Sequence, residues 1–365
     1  MPHINKPNST SNPVSKTLIL FITCWVVLAT PFLNTTTAQI TQNNNTDQFA
    51  EIRGMTISCH RSGQAWASDA MVDTMRELKN MGINWIAIHP YAQIRSDGSV
   101  QSWSLQGRTE APDWLARPIR EAHALGLKIM IKPHLAYWGS PFDWRGDISF
   151  TTDDEWNHFF NTYDNWVTQL AHYCKDADAF VVGTELDKTI QHEKEWRRII
   201  ASVRTQFQGP ITYAANWSDY DKIPFWDALD VIGIQAYFPV LTEKQKDKNT
   251  IPTNKQLDDG WQRIMKELHE FSEKTNRTIT FTELGYNEST DAPYQPWDHK
   301  QGGPGATEIQ TRCLNSALQA IKNEPAVTGA FLWKWFPGSP QYGNFAMAKP
   351  NTRKIITENW SENNQ

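Results

Sequence analysis

A repeated alternation of short apolar runs and amphipathic stretches constrains the fold of this chain more than any other feature of its sequence. The apolar runs are rich in β-branched and aromatic residues, which is typical of buried strands. Eight of them are predicted as strands: Ile52–Cys59, Trp85–His89, Lys128–Lys132, Phe180–Glu185, Ile211–Asn216, Val231–Gln235, Ile279–Glu283 and Ala330–Trp333.

Amphipathic helices are predicted between these strands, because apolar residues recur there at i, i+3 and i+4. Gly82 and Gly126 each follow a predicted helix, at the position where helices commonly end. The fifth unit has room only for a short helix near Ile223–Leu229, and the polar stretch Lys349–Gln365 gives no clear last helix. The predicted helices are Asp69–Met81, Ala116–Ala124, Asp153–Cys174, Glu193–Gln206, Lys255–Thr275 and Glu308–Lys322.

Eight strands that alternate with helices, with no second composition class and no linker, indicate an α/β protein built as a single (β/α)8 TIM barrel. The barrel is expected over residues 51–345, after a flexible lead-in at 39–50 and before a C-terminal tail at 346–365. Because the chain is longer than the ~250 residues common for this fold, extended βα loops are expected.

The first 38 residues have the order of a secretory signal peptide. Lys6 and Lys16 precede an apolar run from Leu18 to Leu28, and small residues lead up to Ala38. Cleavage after Ala38 is therefore expected, with a secreted or periplasmic product. The apolar run is too short to predict a stable membrane span after processing.

The cysteines do not predict a disulfide framework. Cys24 lies inside the apolar run of the signal, so no lipoprotein anchor is predicted. Three cysteines remain after cleavage and cannot all pair; their positions, at a strand end and in two helices, predict buried thiols. They are Cys59, Cys174 and Cys313.

The charge of the chain argues against a nucleic-acid partner. The formal net charge is −5, and the loss of Lys6 and Lys16 with residues 1–38 brings it near −7. A nucleic-acid partner would call for a basic surface, which this composition does not indicate.

Polar or aromatic residues stand at the C-terminal end of every predicted strand, where barrel enzymes carry their active sites. The set is poor in Lys and has no Ser or Cys with an evident base, which argues against Schiff-base or acyl-enzyme chemistry. In chain order these residues are His60, His89, Tyr91, His134, Trp138, Glu185, Asn216, Trp217, Gln235, Tyr237, Glu283, Tyr286, Trp333 and Trp335.

Glu185 and Glu283 end the fourth and seventh predicted strands. Either glutamate alone could be a solvated strand-end residue or a helix cap. As a pair at one barrel mouth they predict glycoside hydrolysis, in which one carboxyl protonates the leaving oxygen and the other acts at the anomeric carbon. Tyr237 is expected to donate a hydrogen bond to Glu283 and favour its charged form. Burial and the charge of Glu283 are expected to raise the pKa of Glu185.

Tryptophan is frequent, with 17 residues in the chain, and flat exposed rings stack on the apolar faces of sugars. Part of the set is expected in the core, since Trp is highly buried on average. Trp333 is predicted to floor the subsite where cleavage occurs. Outer platforms are predicted at Trp138, Trp144, Trp217 and Trp297.

Several segments of the sequence resemble the clan A glycoside hydrolases and, within them, glycoside hydrolase family 113, a family of β-1,4-mannanases. They are Gly82–Tyr91 (GINWIAIHPY), Trp144–Ile148 (WRGDI), Val182–Leu186 (VGTEL), Thr282–Tyr286 (TELGY) and Pro296-Trp297. They spread over nearly the whole domain.

The resemblance implies that Glu185 is the general acid/base and Glu283 the nucleophile of a retaining enzyme, with a gap of about 5–5.5 Å between the carboxylates. The implied partner is a β-linked polysaccharide or oligosaccharide of mannan type, and no cofactor or metal is expected. Thr184 departs from the clan, in which Asn usually precedes the acid and binds the sugar's 2-hydroxyl; Asn216 is the candidate replacement. Further substrate-binding candidates are His89, His134, Tyr237 and Tyr286, and the identity of His89 leaves fine specificity open.

Three other functions remain open from sequence. The first is a different clan A β-glycanase, such as a glucanase. The second is a metal-dependent barrel hydrolase that would use His60, His89, His134 and Glu185 as ligands, although the first strand carries no His-x-His. The third is a barrel that binds sugar without cleaving it.

Overall fold

A computed structural model of the protein describes residues 51–60, 63–246, 250–338 and 343–361. The signal peptide predicted at 1–38 and the lead-in at 39–50 lie outside the described residues. No helix of the described ranges is both long and apolar enough to cross a membrane.

All eight predicted strands are present, and they close into one parallel barrel. The predicted TIM barrel is therefore confirmed. In their order around the ring, the barrel strands are β1 (Ile52–Ile57), β11 (Val327–Trp335), β10 (Ile279–Leu284), β9 (Ile232–Gln235), β8 (Ile211–Asn216), β7 (Ala179–Thr184), β5 (Lys128–Ile131) and β2 (Trp85–Ile88).

Three short strands that the sequence pattern did not predict form a second sheet in the βα loops. They are β3 (Tyr91–Ile94), β4 (Val100–Gln101) and β6 (His134–Ala136). Strand β3 pairs antiparallel with β4 and parallel with β6, and the register sets Tyr91 opposite His134. Two residues that follow different barrel strands are thereby brought side by side.

The helices lie close to their predicted positions, and two of them begin at a capping box. Thr152 and Glu155 form the box that opens Asp153–Tyr173, and Thr253 and Gln256 form the one that opens Asn254–Thr275, so orphan N–H groups are satisfied at both starts. The fifth unit contains only 3-10 turns, at Tyr220–Lys222 and Trp226–Ala228. The helices are α1 (Asp69–Asn80), α2 (Asp113–Ala124), α3 (Asp153–Tyr173), α4 (Glu193–Gln206), α5 (Asn254–Thr275), α6 (Ala306–Lys322) and α7 (Pro350–Trp360).

The prediction of a C-terminal tail at 346–365 is wrong for its described part. Helix α7 occupies this stretch and buries Ile356 and Trp360. Gly82, at φ 92°, leaves room for the carbonyl of Trp360, because a Cβ there would lie 2.0 Å from that oxygen. Helix α7 is thus the last helix of the barrel.

The barrel interior changes character along its axis. An apolar cluster fills it from residues that precede the strand ends, among them Ile52, Trp85, Val231 and Phe331. A larger apolar layer lies between the strands and the surrounding helices. The buried polar residues Lys132, Gln235 and Glu283 stand instead at strand ends, so the C-terminal mouth is the polar end.

The three described cysteines are free thiols. Cys174 and Cys313 are buried, as predicted, whereas Cys59 is only half-buried. Burial raises the pKa of the Cys59 thiol, and it does so for the other two as well, which keeps all three protonated and unreactive.

Candidate active site

A cleft of about 590 Å³ opens at the C-terminal ends of the barrel strands. Both candidate glutamates line it. The other lining residues are Tyr91, His134, Tyr137, Trp144, Arg145, Asn216, Trp217, Ser218, Tyr237, Trp297, Asp298, His299, Trp333 and Phe345.

A larger cavity, of about 900 Å³, lies on the outside of the barrel between α5 and α6. It contains the surface pair His269 and Glu324, whose Nδ1 and Oε1 are 2.7 Å apart. Size alone would favour this cavity. The mouth of the barrel is the better candidate because it gathers buried charged groups from several strands, as active sites of this fold do.

Glu283 is held by two donors from other strands. The Tyr237 hydroxyl donates to Oε2 at 2.7 Å, as expected from the sequence. The Lys132 ammonium donates to Oε1 and also to the Thr282 carbonyl at 3.1 Å. The pairing of β10 with β9 shifts register after Phe281, and such irregularities re-aim side chains. With only 5% of its side chain exposed, the carboxylate is fixed in place and paired with a positive charge.

The contact of Lys132 with Glu283 was not predicted from the sequence. Lys132 follows β5, two residues after Met130 of the barrel interior, so strand alternation points it inward. Burial lowers the pKa of its ammonium, while the charges of Glu283 and Glu185 act in the opposite direction. Its inward position was readable from the alternation, but its partner was not.

Glu185 stands directly after β7 with φ 52°, in the left-handed region. A residue other than glycine there costs on the order of 1–3 kcal/mol and persists only where the surroundings enforce it. Its own N–H donates to the Ala214 carbonyl at 3.0 Å, and the N–H of Leu186 donates to the Tyr213 hydroxyl at 2.9 Å. The backbone of β8 and the side chain of Tyr213 thus hold the strained backbone at Glu185, which lines the cleft.

The environment of Glu185 differs from that of Glu283. Burial is the main factor that raises the pKa of Glu185, and the charge of Glu283 raises it further. Arg145, whose Nη1 is 3.5 Å from Oε2 of Glu185, lowers it in part, as does Lys132. The net effect is a raised pKa, which suits a proton donor beside an ionised partner.

Arg145 lies in the segment Trp144–Ile148, and its contact with Glu185 was not predicted from the sequence. It begins the 3-10 turn Arg145–Asp147, and Asp147 ties this turn to Lys188 at 3.1 Å. Gly146 leaves space for the Trp144 ring, since a Cβ would lie 2.0 Å from it. The turn thereby presents a ring and a guanidinium to the same cleft.

His89 and His134 are buried and neutral. Burial, followed by neighbouring cations, sets the pKa of each well below its usual range. His89 does not line the cleft: its Nε2 lies 2.8 Å from the Ser58 hydroxyl and its ring packs 5.2 Å from that of Trp333. His134 does line the cleft, and within the described residues neither ring nitrogen has a hydrogen-bond partner. Both nitrogens are buried, and Nε2 lies 3.6 Å from Oε1 of Glu283. The His89 ring lies 5.1 Å from that of His134 and supports it from behind.

Trp333 lines the cleft at the end of the last barrel strand. The His134 ring stacks on it at 5.9 Å, and the Lys132 ammonium lies 5.0 Å from its centroid. The peptide bond from Trp333 to Lys334 is cis. The ring therefore adjoins the group that holds Glu283.

The other predicted platforms are divided between the cleft and its surroundings. Trp144, Trp217 and Trp297 line the cleft, and the last two stack at 5.2 Å. Trp138 is 63% exposed and is not among the lining residues, although its ring lies 6.0 Å from that of Tyr91. It stands at the edge of the site.

Tyr286 does not reach the cleft, so its prediction as a substrate-binding residue is wrong. Its side chain is buried, and its hydroxyl accepts a hydrogen bond from the Trp261 indole at 3.1 Å. Trp261 belongs to α5, and Tyr286 therefore faces the layer between strands and helices.

Asn216 lines the cleft next to Asp187, which has the carboxyl group of Asp219 as a neighbour. Its amide donates to Oδ2 of Asp187 at 3.4 Å, and its Oδ1 accepts from the Trp217 N–H at 3.0 Å. Burial, together with the charges of Asp219 and Glu185, raises the pKa of Asp187 to about 7. The amide is thus oriented with one N–H on Asp187.

The ligand set of a metal hydrolase is not assembled. Within the described ranges no three His, Cys, Asp or Glu side chains are grouped so as to hold a metal ion. His60 instead stacks on Phe336 at 4.5 Å.

Comparison with known proteins gives consistent results. The model of glycoside hydrolase family 113 matches residues 55–351. A GH113 β-mannanase from Alicyclobacillus acidocaldarius, solved in complex with ManMIm, is 27% identical, with a TM-score of 0.72 over 86% of this chain and 97% of its own. A second structure, a complex of a GH113 β-1,4-mannanase, is 21% identical and shares the fold, with a TM-score of 0.73 over 86% and 99% of the two chains. No curated protein matches the sequence.

Proposed function

The chain belongs to glycoside hydrolase family 113, and we propose that it cleaves β-1,4-mannosidic linkages of mannan-type polysaccharides with retention of the anomeric configuration. That it is a glycoside hydrolase follows from the family. The observation that carries the mechanism is the contrast between Glu185 and Glu283, which line one cleft in unlike environments.

In the first half of the reaction, an oxygen of Glu283 attacks the anomeric carbon while Glu185 gives its proton to the leaving oxygen and the glycosidic bond breaks. Tyr237 and Lys132 hold the attacking carboxylate. In the second half, water bonds to the anomeric carbon, its proton passes to Glu185, and the ester bond to Glu283 breaks. Glu185 thus serves as acid and then as base.

Substrate binding is assigned to the aromatic and polar lining of the same cleft. Trp333 adjoins Glu283 through Lys132, so we assign it to the floor of the subsite where cleavage occurs. Asn216 offers a group for sugar hydroxyls, His134 lines the same cleft, and the stacked rings of Trp217 and Trp297 offer a platform farther out. The mannan preference rests on the similarity to a structure described as a β-mannanase.

Export is a separate part of the proposal. We infer secretion with cleavage after Ala38 from the order of charged, apolar and small residues in the first 38 residues. Mass spectrometry of the exported protein should give an N-terminus at Gln39, and a retained leader would contradict the inference.

The stereochemical course tests the mechanism directly. Proton NMR of the first-formed sugar should show the β anomer, and an α anomer would mean inversion. Glu283→Ala should be inactive. Glu185→Ala should keep turnover on substrates with good leaving groups and yield a β-glycosyl azide with azide, because azide needs no general base.

Product sizing on mannan, glucomannan, galactomannan and glucan tests the substrate. Short mannooligosaccharides released from mannan are expected. Preferential release from glucan would favour the alternative clan A glucanase, and absence of any product would favour a binding barrel.

A further inference from the structure

Lys132 is the feature of this site that the double displacement does not by itself require. Its side chain is fully buried, and its ammonium contacts the Glu283 carboxylate and the Thr282 carbonyl. Strand β5 stands four places from β10 in the ring of eight, so the lysine reaches across the barrel. In the free enzyme its charge is therefore offset by a carboxylate that becomes a neutral ester in the first half of the proposed reaction.

We propose that Lys132 is a positioning residue whose positive charge, no longer offset once Glu283 is esterified, favours the ionised form of Glu185 as the base for water. The inference rests on the proposed double displacement. It assigns to one lysine a link between the two halves of the reaction.

The charge balance of the site carries the argument. Before attack, the negative charge of Glu283 pairs with Lys132 and raises the pKa of Glu185, which favours the protonated form of the acid. When Glu283 bonds to the anomeric carbon it becomes a neutral ester, and Glu185 has given its proton to the departing oxygen. Two cations, Lys132 and Arg145, then lower the pKa of Glu185 without opposition from Glu283.

The other ionisable neighbours of the two glutamates include one further cation, Lys334, whose ammonium lies 4.9 Å from the centroid of the Trp333 ring and interacts with Glu283. Lys334 is unchanged in every variant compared below, so a shift of the pH profile reports the charge of Lys132. The other neighbours bring no positive charge, because burial lowers the pKa of His134 and raises the pKa of Asp187 and of three tyrosines. The tyrosines are Tyr91, Tyr213 and Tyr237. When water has attacked and the ester bond has broken, the Glu283 carboxylate is restored and can pair with Lys132 again.

The test compares Lys132→Met, which removes the charge at similar length, with Lys132→Arg, which keeps it. A dinitrophenyl β-mannoside makes the first half fast, so that turnover reports the second half. The acidic limb of the pH profile of kcat follows the ionisation of Glu185 in the glycosyl-enzyme. In Lys132→Met, which lacks the positive charge, the midpoint of this limb should move up by about one pH unit. The burst of dinitrophenolate should grow relative to the steady rate. Lys132→Arg should keep the limb near that of the wild type.

Tyr237→Phe is the matched control, because it removes an uncharged donor from the same carboxylate. It should slow the enzyme without moving the limb. A limb that stays in place in Lys132→Met, or that moves equally in Tyr237→Phe, overturns the inference. If thermal unfolding shows that Lys132→Met does not fold, Lys132→Gln takes its place. A β-anomeric product with an unmoved limb refutes only the role of Lys132, whereas an α-anomeric product refutes the double displacement itself.

Discussion

The hydroxyl of Tyr237, which follows β9, donates a 2.7 Å hydrogen bond to Oε2 of Glu283 on β10. The bond joins neighbouring strands at the barrel mouth, in a part of the cleft where both side chains are buried. It holds Oε2 of the carboxylate, whereas Lys132 contacts the other oxygen, Oε1.

Tyr237→Phe should therefore lower kcat/KM by about 10- to 100-fold, since a buried charged acceptor loses a donor worth roughly 1.5–3 kcal/mol. Tyr286→Phe is the matched control. Its hydroxyl binds only Trp261 among the described residues, so it should lower the melting temperature slightly and leave kcat/KM unchanged. Equal losses of activity in the two variants would contradict the role of Tyr237.

The alkaline limb of kcat/KM should report Glu185 as the acid. Arg145 lowers the raised pKa of Glu185, so its removal raises that pKa further and keeps the acid protonated to higher pH. In Arg145→Met the alkaline limb should move up by roughly one pH unit. Lys188→Met is the control, because Lys188 pairs with Asp147 in the same turn. A limb that moves down in Arg145→Met, or not at all, would exclude this electrostatic link.

Trp333→Ala should lower kcat/KM by at least about tenfold, because a sugar loses its stacking surface beside Glu283. Trp103→Ala, a change of a ring that is 67% exposed and outside the cleft, should leave activity unaltered. Thermal unfolding and kinetics should be measured on the same preparations. If stability falls as steeply as activity, Trp333 serves the core rather than the substrate.

The positive φ of Glu185 gives a prediction on stability. Glycine accepts this backbone without strain, so Glu185→Gly should be more stable than Glu185→Ala by about 1 kcal/mol. Glu283 has no positive φ, and there glycine should be less stable than alanine by about 0.5–1 kcal/mol. Denaturant unfolding of the four variants measures both differences. The same sign at both positions would show that Glu185 is not strained.

Local patterns were sufficient to predict most of the fold. The run Ile279–Leu284 is buried and half of its residues are β-branched, and the alternation of such runs with helical periodicity predicted all eight barrel strands. Helix α7 escaped prediction because few of its residues are buried, so its periodic signal is weak. The sheet of β3, β4 and β6 escaped because strands of two to four residues carry little pattern.

The sequence by itself determined that Glu185 and Glu283 end two strands of one barrel, since strand period and order are local properties of the chain. Only the tertiary structure decided that Lys132 meets Glu283 from 151 residues away, that Arg145 meets Glu185, and that Tyr286 turns into the core. A buried charge is stable only beside its partner, and that partner is chosen by barrel closure and strand register rather than by neighbours in sequence.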